Sequence, residues 1–253
     1  MSKRIIENTE LLKLIMKIHQ KSRFTYGSRR VHAELREMGY FVGHNRVGRL
    51  MKLNKIRAKV KKRFKITTHS KHKRPISPNL LKDIKVVKSN QVWVSDITYI
   101  RTQEGWLYLC VIMDLYSRYI VGWNLEDRLT KDLVIKSFEM ACMRRNPAQG
   151  LIFHSDRGSQ YESEDFRKAL VRKGFTASMS GKGNCYDNAY AESLFHTIKL
   201  EEIYGSDYRS KEVAKLRLFD YIEVFYNRVR KHSGLGYLSP YQFEQILDLQ
   251  NVA

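Results

Sequence analysis

Apolar residues recur at helical spacing over residues 9–21, where Leu11, Leu12, Leu14, Ile15 and Ile18 fall on one side. A second helix is predicted over 28–38, with Val31, Leu35 and Met38 on one face and Gly39 as its stop. A third, over 45–53, turns Val47, Leu50 and Met51 inward. Two short helices joined by a Gly-containing turn, the later one carrying Arg46, Arg49 and Lys52, read as a helix-turn-helix pair. Periodicity then fades over 57–91, which contains Pro75 and Pro78. From residue 92 the pattern becomes that of strands. Strands are predicted at 92–101, 106–114 and 119–125, the first two joined by a Gln103-Glu104-Gly105 turn. A helix at 131–145, a strand at 151–155, a helix at 164–172 and a strand at 176–179 follow. A polar loop, 180–186, leads into a long helix from about 187 to 203; another helix spans 211–230, and a short one starts after Ser239 at Pro240. A three-strand meander followed by alternating helices and strands predicts an α/β domain with a mixed five-stranded sheet, preceded by an all-α helix-turn-helix-like segment. The organisation expected is a helical domain at 1–56, a basic linker at 57–91, an α/β core at 92–203 and a C-terminal helical segment at 204–253.

Charge sharpens this picture. Residues 1–91 hold 25 Lys and Arg against 5 Asp and Glu, whereas residues 92–253 hold 21 of each class. The net charge of +20 therefore sits in the first third of the chain. A basic module joined to a charge-balanced domain points to a polyanion, and duplex DNA offers one negative charge per ~1.7 Å. The densest run, 57–65, contributes Lys59, Lys61, Lys62 and Arg63 as candidate phosphate contacts. The competing readings are a solubilising tail and an anionic membrane surface, but the run lacks an aromatic or leucine-rich amphipathic face. No apolar run approaches the ~20 residues that span a bilayer, and no signal-peptide pattern opens the chain. The three cysteines, Cys110, Cys142 and Cys185, form no Cys-x-x-Cys pair. Together these features predict a reduced, cytoplasmic protein with no membrane partner.

Three acidic residues carry the candidate chemistry. Asp96 interrupts an apolar strand in Val94-Ser95-Asp96-Ile97, a costly position without compensation. Asp156 directly follows the fourth strand, and ligands of open α/β sheets gather at the carboxyl ends of strands. Glu192 lies on the long helix, 35 residues beyond Asp156. If they converge, their mutual repulsion is relieved by a hard divalent cation such as Mg2+, which leaves coordination positions open for phosphate. Two such ions can serve an in-line displacement at phosphorus. On the same helix Asn188, Glu192 and Lys199 share one face, and Lys199 is placed to hold a phosphate. Each residue has a plainer alternative: Asp96 as the buried partner of an arginine, Asp156 as a turn former, Glu192 and Lys199 as exposed helix residues. Asp114 could replace one ligand but sits before Ser117-Arg118, which reads as a turn with an ion pair. His154 reads as a structural neighbour, Glu162, Glu164 and Asp165 as first-turn acids around a Ser163 cap, and Glu201 and Glu202 as solvent-facing.

These segments resemble the transposases of bacterial insertion sequences that carry a retroviral-integrase-like catalytic core, in particular the second-open-reading-frame product of insertion sequence family three. The likeness rests on Trp93-Val94-Ser95-Asp96-Ile97-Thr98-Tyr99-Ile100, on His154-Ser155-Asp156-Arg157-Gly158-Ser159-Gln160-Tyr161 and on Asp187-Asn188-Ala189-Tyr190-Ala191-Glu192-Ser193. The 35-residue gap and the basic Lys199 seven positions after Glu192 belong to it as well. Upstream, residues 26–35 are similar to the family's helical DNA-binding segment, and residues 226–233 and 238–240 to its closing segment. The resemblance implies an RNase H-like fold at 92–203. It further implies Asp96, Asp156 and Glu192 as catalytic metal ligands for two Mg2+ ions, with Mn2+ as a substitute. The implied activity cleaves insertion-sequence ends and joins the resulting 3′-hydroxyl to another phosphodiester. DNA partners would be the terminal inverted repeats and the target, bound by a homo-oligomer in a synaptic complex; Lys182, Asn188 and Lys199 are candidate contacts beside the site. Family members usually act as a frameshifted fusion with an upstream frame; this chain shows no leucine zipper and no His-His-Cys-Cys zinc module. The resemblance also implies a bacterial, nucleoid-associated protein; a non-catalytic, DNA-end-binding regulator of such a fusion is the second expectation, and an RNA/DNA-hybrid hydrolase the third.

Overall fold

The computed structural model describes residues 2–59, 77–81, 84–180 and 189–252, which fall into two compact units, 1–64 with 228–253, and 65–227. The first unit contains α1 (Lys3–Lys21), α2 (Ser28–Glu37), α3 (His44–Leu53), a single 3-10 turn (Ser233–Leu235) and α8 (Pro240–Val252). Helix α1 starts six residues before the predicted boundary because its first two turns bury nothing: Ile5 and Ile6 are half exposed, and the first buried side chain is Leu11. Helices α2 and α3 stand where the periodicity places them, with Val31, Leu35, Val47, Leu50 and Met51 buried. Met38 departs from expectation; it caps α2 and is exposed.

Buried Tyr26 ties the ends of the chain together. Its hydroxyl donates to the Val229 carbonyl at 3.1 Å and accepts from the Lys231 amide at 2.7 Å. Burial raises its phenol to about 12, so it remains a neutral donor. The ammonium of Lys231, also buried, pairs with Glu34 at 3.1 Å and with Glu37. The stretch read as one C-terminal segment from 204 onward thus divides, 228–253 packing with the N-terminal helices. Two isolated polar side chains make these joins, and isolated residues leave no periodic trace.

The second unit is a five-stranded sheet in the order β3-β2-β1-β4-β5, built from β1 (Val92–Thr102), β2 (Gly105–Asp114), β3 (Ile120–Glu126), β4 (Ile152–Ser155) and β5 (Thr176–Met179). The β1-β2-β3 meander is antiparallel, while β1-β4 and β4-β5 are parallel, giving the mixed sheet that the pattern predicts. Helices α4 (Lys131–Arg145) and α5 (Glu164–Arg172) join the core with Trp93 and the aromatic cluster Phe138, Phe153, Tyr161, Phe166 and Phe175. Phe138 meets Phe153, Phe166 and Phe175 edge-on at 5.6–5.8 Å, contacts worth ~0.5–1.5 kcal/mol each beyond area burial. Gly122 on β3 lets α4 approach closely, since a Cβ there would lie 2.3 Å from the Ser137 carbonyl oxygen.

Beyond the sheet come α6 (Ala189–Ile198), a π-helical turn (Lys199–Ile203), α7 (Lys211–Phe219) and a second π-helical turn (Asp220–Tyr226). The long helices predicted to 203 and 230 therefore end in wider turns. In the first, Glu201 and Glu202 are buried, contrary to the solvent-facing expectation. Glu201 accepts from the Tyr221 hydroxyl at 2.8 Å; Glu202 pairs with Arg217 at 2.9 Å and accepts from the Tyr208 hydroxyl at 3.2 Å. Both glutamates face inward, where these partners meet the requirement that buried charge be compensated. Buried Asn227 closes the unit by exchanging hydrogen bonds with the backbone of Ile120 at 2.9 and 3.1 Å.

Candidate active site

Strand β1 is the central strand, and Asp96 lies within it opposite Val111 of β2. On the other side, β1 runs parallel to β4 with Val94 facing His154. Asp96 and Asp156 each stand two residues beyond that pair. Adjacent strands lie ~4.8 Å apart, so the register sets the two carboxylates side by side at the carboxyl end of β4.

Local structure holds each in place. The Oδ1 of Asp96 accepts from the Ile97 amide at 2.7 Å, and the Oδ1 of Asp156 accepts from the Gly158 amide at 2.9 Å. A Cβ on residue 158 would stand 2.9 Å from that same carboxylate oxygen, so a side chain there would displace the Asp156 carboxylate. Beneath the pair, Ser95 shares a 2.9 Å hydrogen bond with the buried hydroxyl of Tyr161, which fastens the loop after β4 to β1. Arg157 donates to the Ser180 carbonyl at 2.8 Å and so ties that loop to the end of β5. Sequence reasoning quoted Tyr161 within a motif but missed this strut; a tyrosine five residues after an acid gives no signal of its own.

The electrostatics are those of two acids withdrawn from water and set against each other. Burial, then the neighbouring Asp156 carboxylate, raises the Asp96 carboxyl to about 8; the Ile97 amide and the charge of Lys199 oppose the rise, and the charge of Glu192 adds to it. Asp156 is raised as well, by burial and by the Glu162 carboxylate, against the Gly158 hydrogen bond. Lys199, half-buried, is lowered by burial and held up by Asp96. Asp96, Asp156, Glu192 and Lys199 thus share one electrostatic neighbourhood. Among the described residues, however, no three His, Cys, Asp or Glu side chains lie close enough together to hold a metal ion. The aspartates form the assembled pair, while Glu192 is exposed on α6 and reaches Asp96 through its charge.

The other candidates divide. Asp114 is a turn former: its Oδ1 accepts from the Tyr116 and Ser117 amides at 2.9 and 3.0 Å, and its Oδ2 from the Asn90 amide at 2.5 Å. The expected ion pair is not what holds it, as Arg118 stacks over Tyr190 at 4.4 Å. His154 is buried against the Ser178 hydroxyl at 2.9 Å, a structural role. Ser163 caps α5 as predicted, with Glu164 and Asp165 in its first turn; Glu162, just before the cap, is buried. On α3, Arg49 and Lys52 are exposed, whereas Arg46 is engaged by α1, with Asn8 at 2.9 Å and Glu7 at 3.1 Å. The Lys59 side chain is exposed; Lys61, Lys62, Arg63, Lys182 and Asn188 lie outside the described residues. Cys110 and Cys142 are buried free thiols. No helix among the described residues is long and apolar enough to cross a membrane.

Comparison with known proteins places these features in a family. An HTH-like domain matches residues 7–64, and the Integrase core domain matches residues 87–185 and, through a second family, 192–246. The chain is 46% identical to the insertion element IS600 uncharacterized 31 kDa protein of Shigella sonnei, over 94% of this chain and 89% of that protein. It is 42% identical to transposase InsF for insertion sequence IS3A of Escherichia coli, over 91% of this chain and 81% of that protein. Among solved structures, the catalytic core domain of BIV integrase aligns over 65% of this chain and 99% of its own, at 16% identity and a TM-score of 0.47. With a helix-turn-helix-like unit, a mixed five-stranded integrase core and this extent of identity, the chain belongs to the insertion-sequence transposases of the InsF type.

Proposed function

We propose that this transposase acts on DNA through a divalent-metal site formed by Asp96, Asp156 and Glu192. The observation that carries the reading is the register of β1 with β4, which sets the Asp96 carboxyl beside Asp156, where burial and the neighbouring carboxylate raise it to about 8. An all-oxygen donor set suits a hard ion such as Mg2+, and the two aspartates would hold it with Glu192 completing the set. When bound, such ions supply Lewis-acid stabilisation of charge on the attacking and leaving oxygens.

The chain's own residues prepare that chemistry. The Gly158 amide and the Ser95–Tyr161 strut fix the aspartate pair before substrate arrives. Lys199 sets a cation beside Asp96, where it steadies a scissile phosphodiester. In the first step a water oxygen bonds to phosphorus at the element end and the 3′-oxygen leaves as a hydroxyl. In the second, that hydroxyl attacks another phosphodiester, whose own 3′-oxygen leaves as a hydroxyl with the proton the attacker gives up; one P–O bond forms as one breaks, so no external energy source is needed. The terminal repeats and the target are the DNA partners, and a multimer of this chain pairs two ends.

The test is strand cleavage and joining on a duplex carrying the element's terminal repeat, with Mg2+ or Mn2+ added. Asp96→Asn, Asp156→Asn and Glu192→Gln should each lower the rate by roughly 1000-fold or more, in keeping with several kcal/mol of lost transition-state stabilisation. Metal-dependent cleavage that survives these changes would remove the carboxylates from the mechanism.

A further inference from the structure

Tyr190, in the first turn of α6, lies under the guanidinium of Arg118 at 4.4 Å. This cation–π contact, within the second unit, joins the turn between β2 and β3 to the helix that carries Glu192. Arg118 has a φ of +61°, in the left-handed region that glycine or asparagine adopts at lower cost. Asp114 keeps it there. The Asp114 carboxylate accepts from the Tyr116 and Ser117 amides, its carbonyl accepts from the Arg118 amide at 2.9 Å, and its own amide donates to the Tyr119 carbonyl at 2.9 Å. Among the described residues no carboxylate pairs with Arg118, and the face of Tyr190 is what its side chain meets.

Helix α6 packs through Ala191, Leu194, Phe195 and Ile198, all buried, a single seam at i, i+3, i+4 and i+7. Successive helical residues are turned by ~100°, so Tyr190 and Glu192 flank that seam on opposite sides of Ala191. Glu192 stands on the flank whose charge reaches Asp96. Within the first turn the seam is one methyl group, that of Ala191, which offers little resistance to a roll about the helix axis. Tyr190 is the lever on the other flank. Its ring is 45% exposed, and a cavity of about 290 Å³ beside it, lined also by Leu81, Ile84 and Val86, leaves it room to swing. The stack on Arg118 holds the ring against that swing, and with it the roll of the first turn.

We propose that Arg118 and Tyr190 are positioning residues that set the roll of α6 and so aim the Glu192 carboxylate at the aspartate pair. The proposal deepens the metal-site reading above and rests on it. Strand register fixes Asp96 and Asp156, whereas Glu192 stands on a helix outside the sheet, and its approach depends on how that helix is turned. A contact that served stability alone would not call for arginine here. Glycine fits a φ of +61° with less strain, so the arginine is explained by what its side chain reaches.

The experiment compares the full-length parent with Arg118→Gly, Tyr190→Ala, their double variant and Tyr190→Phe. It measures urea unfolding without metal, amide exchange without metal at residues 193–195, whose helical acceptors are the carbonyls of 189–191, and Mn2+ affinity by electron paramagnetic resonance. Arg118→Gly relieves the left-handed residue and should keep the unfolding midpoint at or above the parental one. Protection at 193–195 should nevertheless fall, and Mn2+ should bind roughly 2- to 5-fold more weakly, the factor that an exposed cation–π contact carries. Tyr190→Ala should weaken Mn2+ binding to the same extent, the double variant no further than either single one, and Tyr190→Phe, which keeps the aromatic face, should match the parent. Parental Mn2+ affinity in Arg118→Gly and Tyr190→Ala overturns the inference, as does an additive loss in the double variant. Glu192→Gln reads the metal site itself. If that variant binds Mn2+ as the parent does, the metal-site reading fails, and unchanged protection at 193–195 in Arg118→Gly would then overturn the stack's hold on α6 separately.

Discussion

A carboxyl group set into a central strand beside a second one gives up its proton reluctantly, and Asp96 does so only near pH 8 against an ordinary value of 3.8. The unfolded chain releases that proton near pH 4, so between about 4 and 8 the native state holds the extra proton. Stability from this group is therefore fully present below pH 4, falls as pH rises through the window and levels off above it. Urea unfolding of the metal-free protein at pH 5 and pH 8 should show the decline, and Asp96→Asn should reduce it. Metal binding must expel the same proton. Adding Mn2+ in weak buffer near pH 7 should release protons from the parent and fewer from Asp96→Asn; equal release would place the metal elsewhere. Asp96 and Asp156 were legible in the sequence because an acid in or directly after an apolar strand demands an explanation. The Ser95–Tyr161 strut, the burial of Glu162 and the use of Arg46 as a brace to α1 were not, since each depends on a partner remote in the chain.

Among the elements, strands and amphipathic helices announce themselves through period, and the sheet and the helix-turn-helix pair match the pattern closely. The π-helical turns do not. Residues 199–203 and 220–226 continue helical composition without interruption, and nothing in a one-dimensional pattern marks a widened turn. Their effect is to bury Glu201 and Glu202 just beyond Lys199 and to link the two turns through the Tyr221–Glu201 hydrogen bond. Tyr221→Phe deletes the donor and leaves a buried carboxylate oxygen less satisfied, a loss of ~1–3 kcal/mol. Denaturant titration should show the midpoint shift with little change in slope; an unaltered midpoint would mean that the bond between the turns contributes no stability.

For the molecule as a whole, the basic excess of residues 1–91 does not map onto a separate N-terminal domain. The first unit is completed by residues 228–253, through Tyr26, Lys231, Glu34 and Glu37. A fragment ending at residue 227 retains α1–α3 but loses both hydrogen bonds of the Tyr26 hydroxyl and the cation that compensates two glutamates. Such a fragment should show weakened amide protection in α2 by hydrogen exchange; full-length protection there would show that the closing segment is dispensable.

That arrangement has a temporal meaning. Residues 228–253 leave the ribosome after all of 65–227, so the first unit cannot be finished on a nascent chain until the second has been synthesised. The newborn protein therefore has every residue of its integrase core in hand before its helix-turn-helix unit can close.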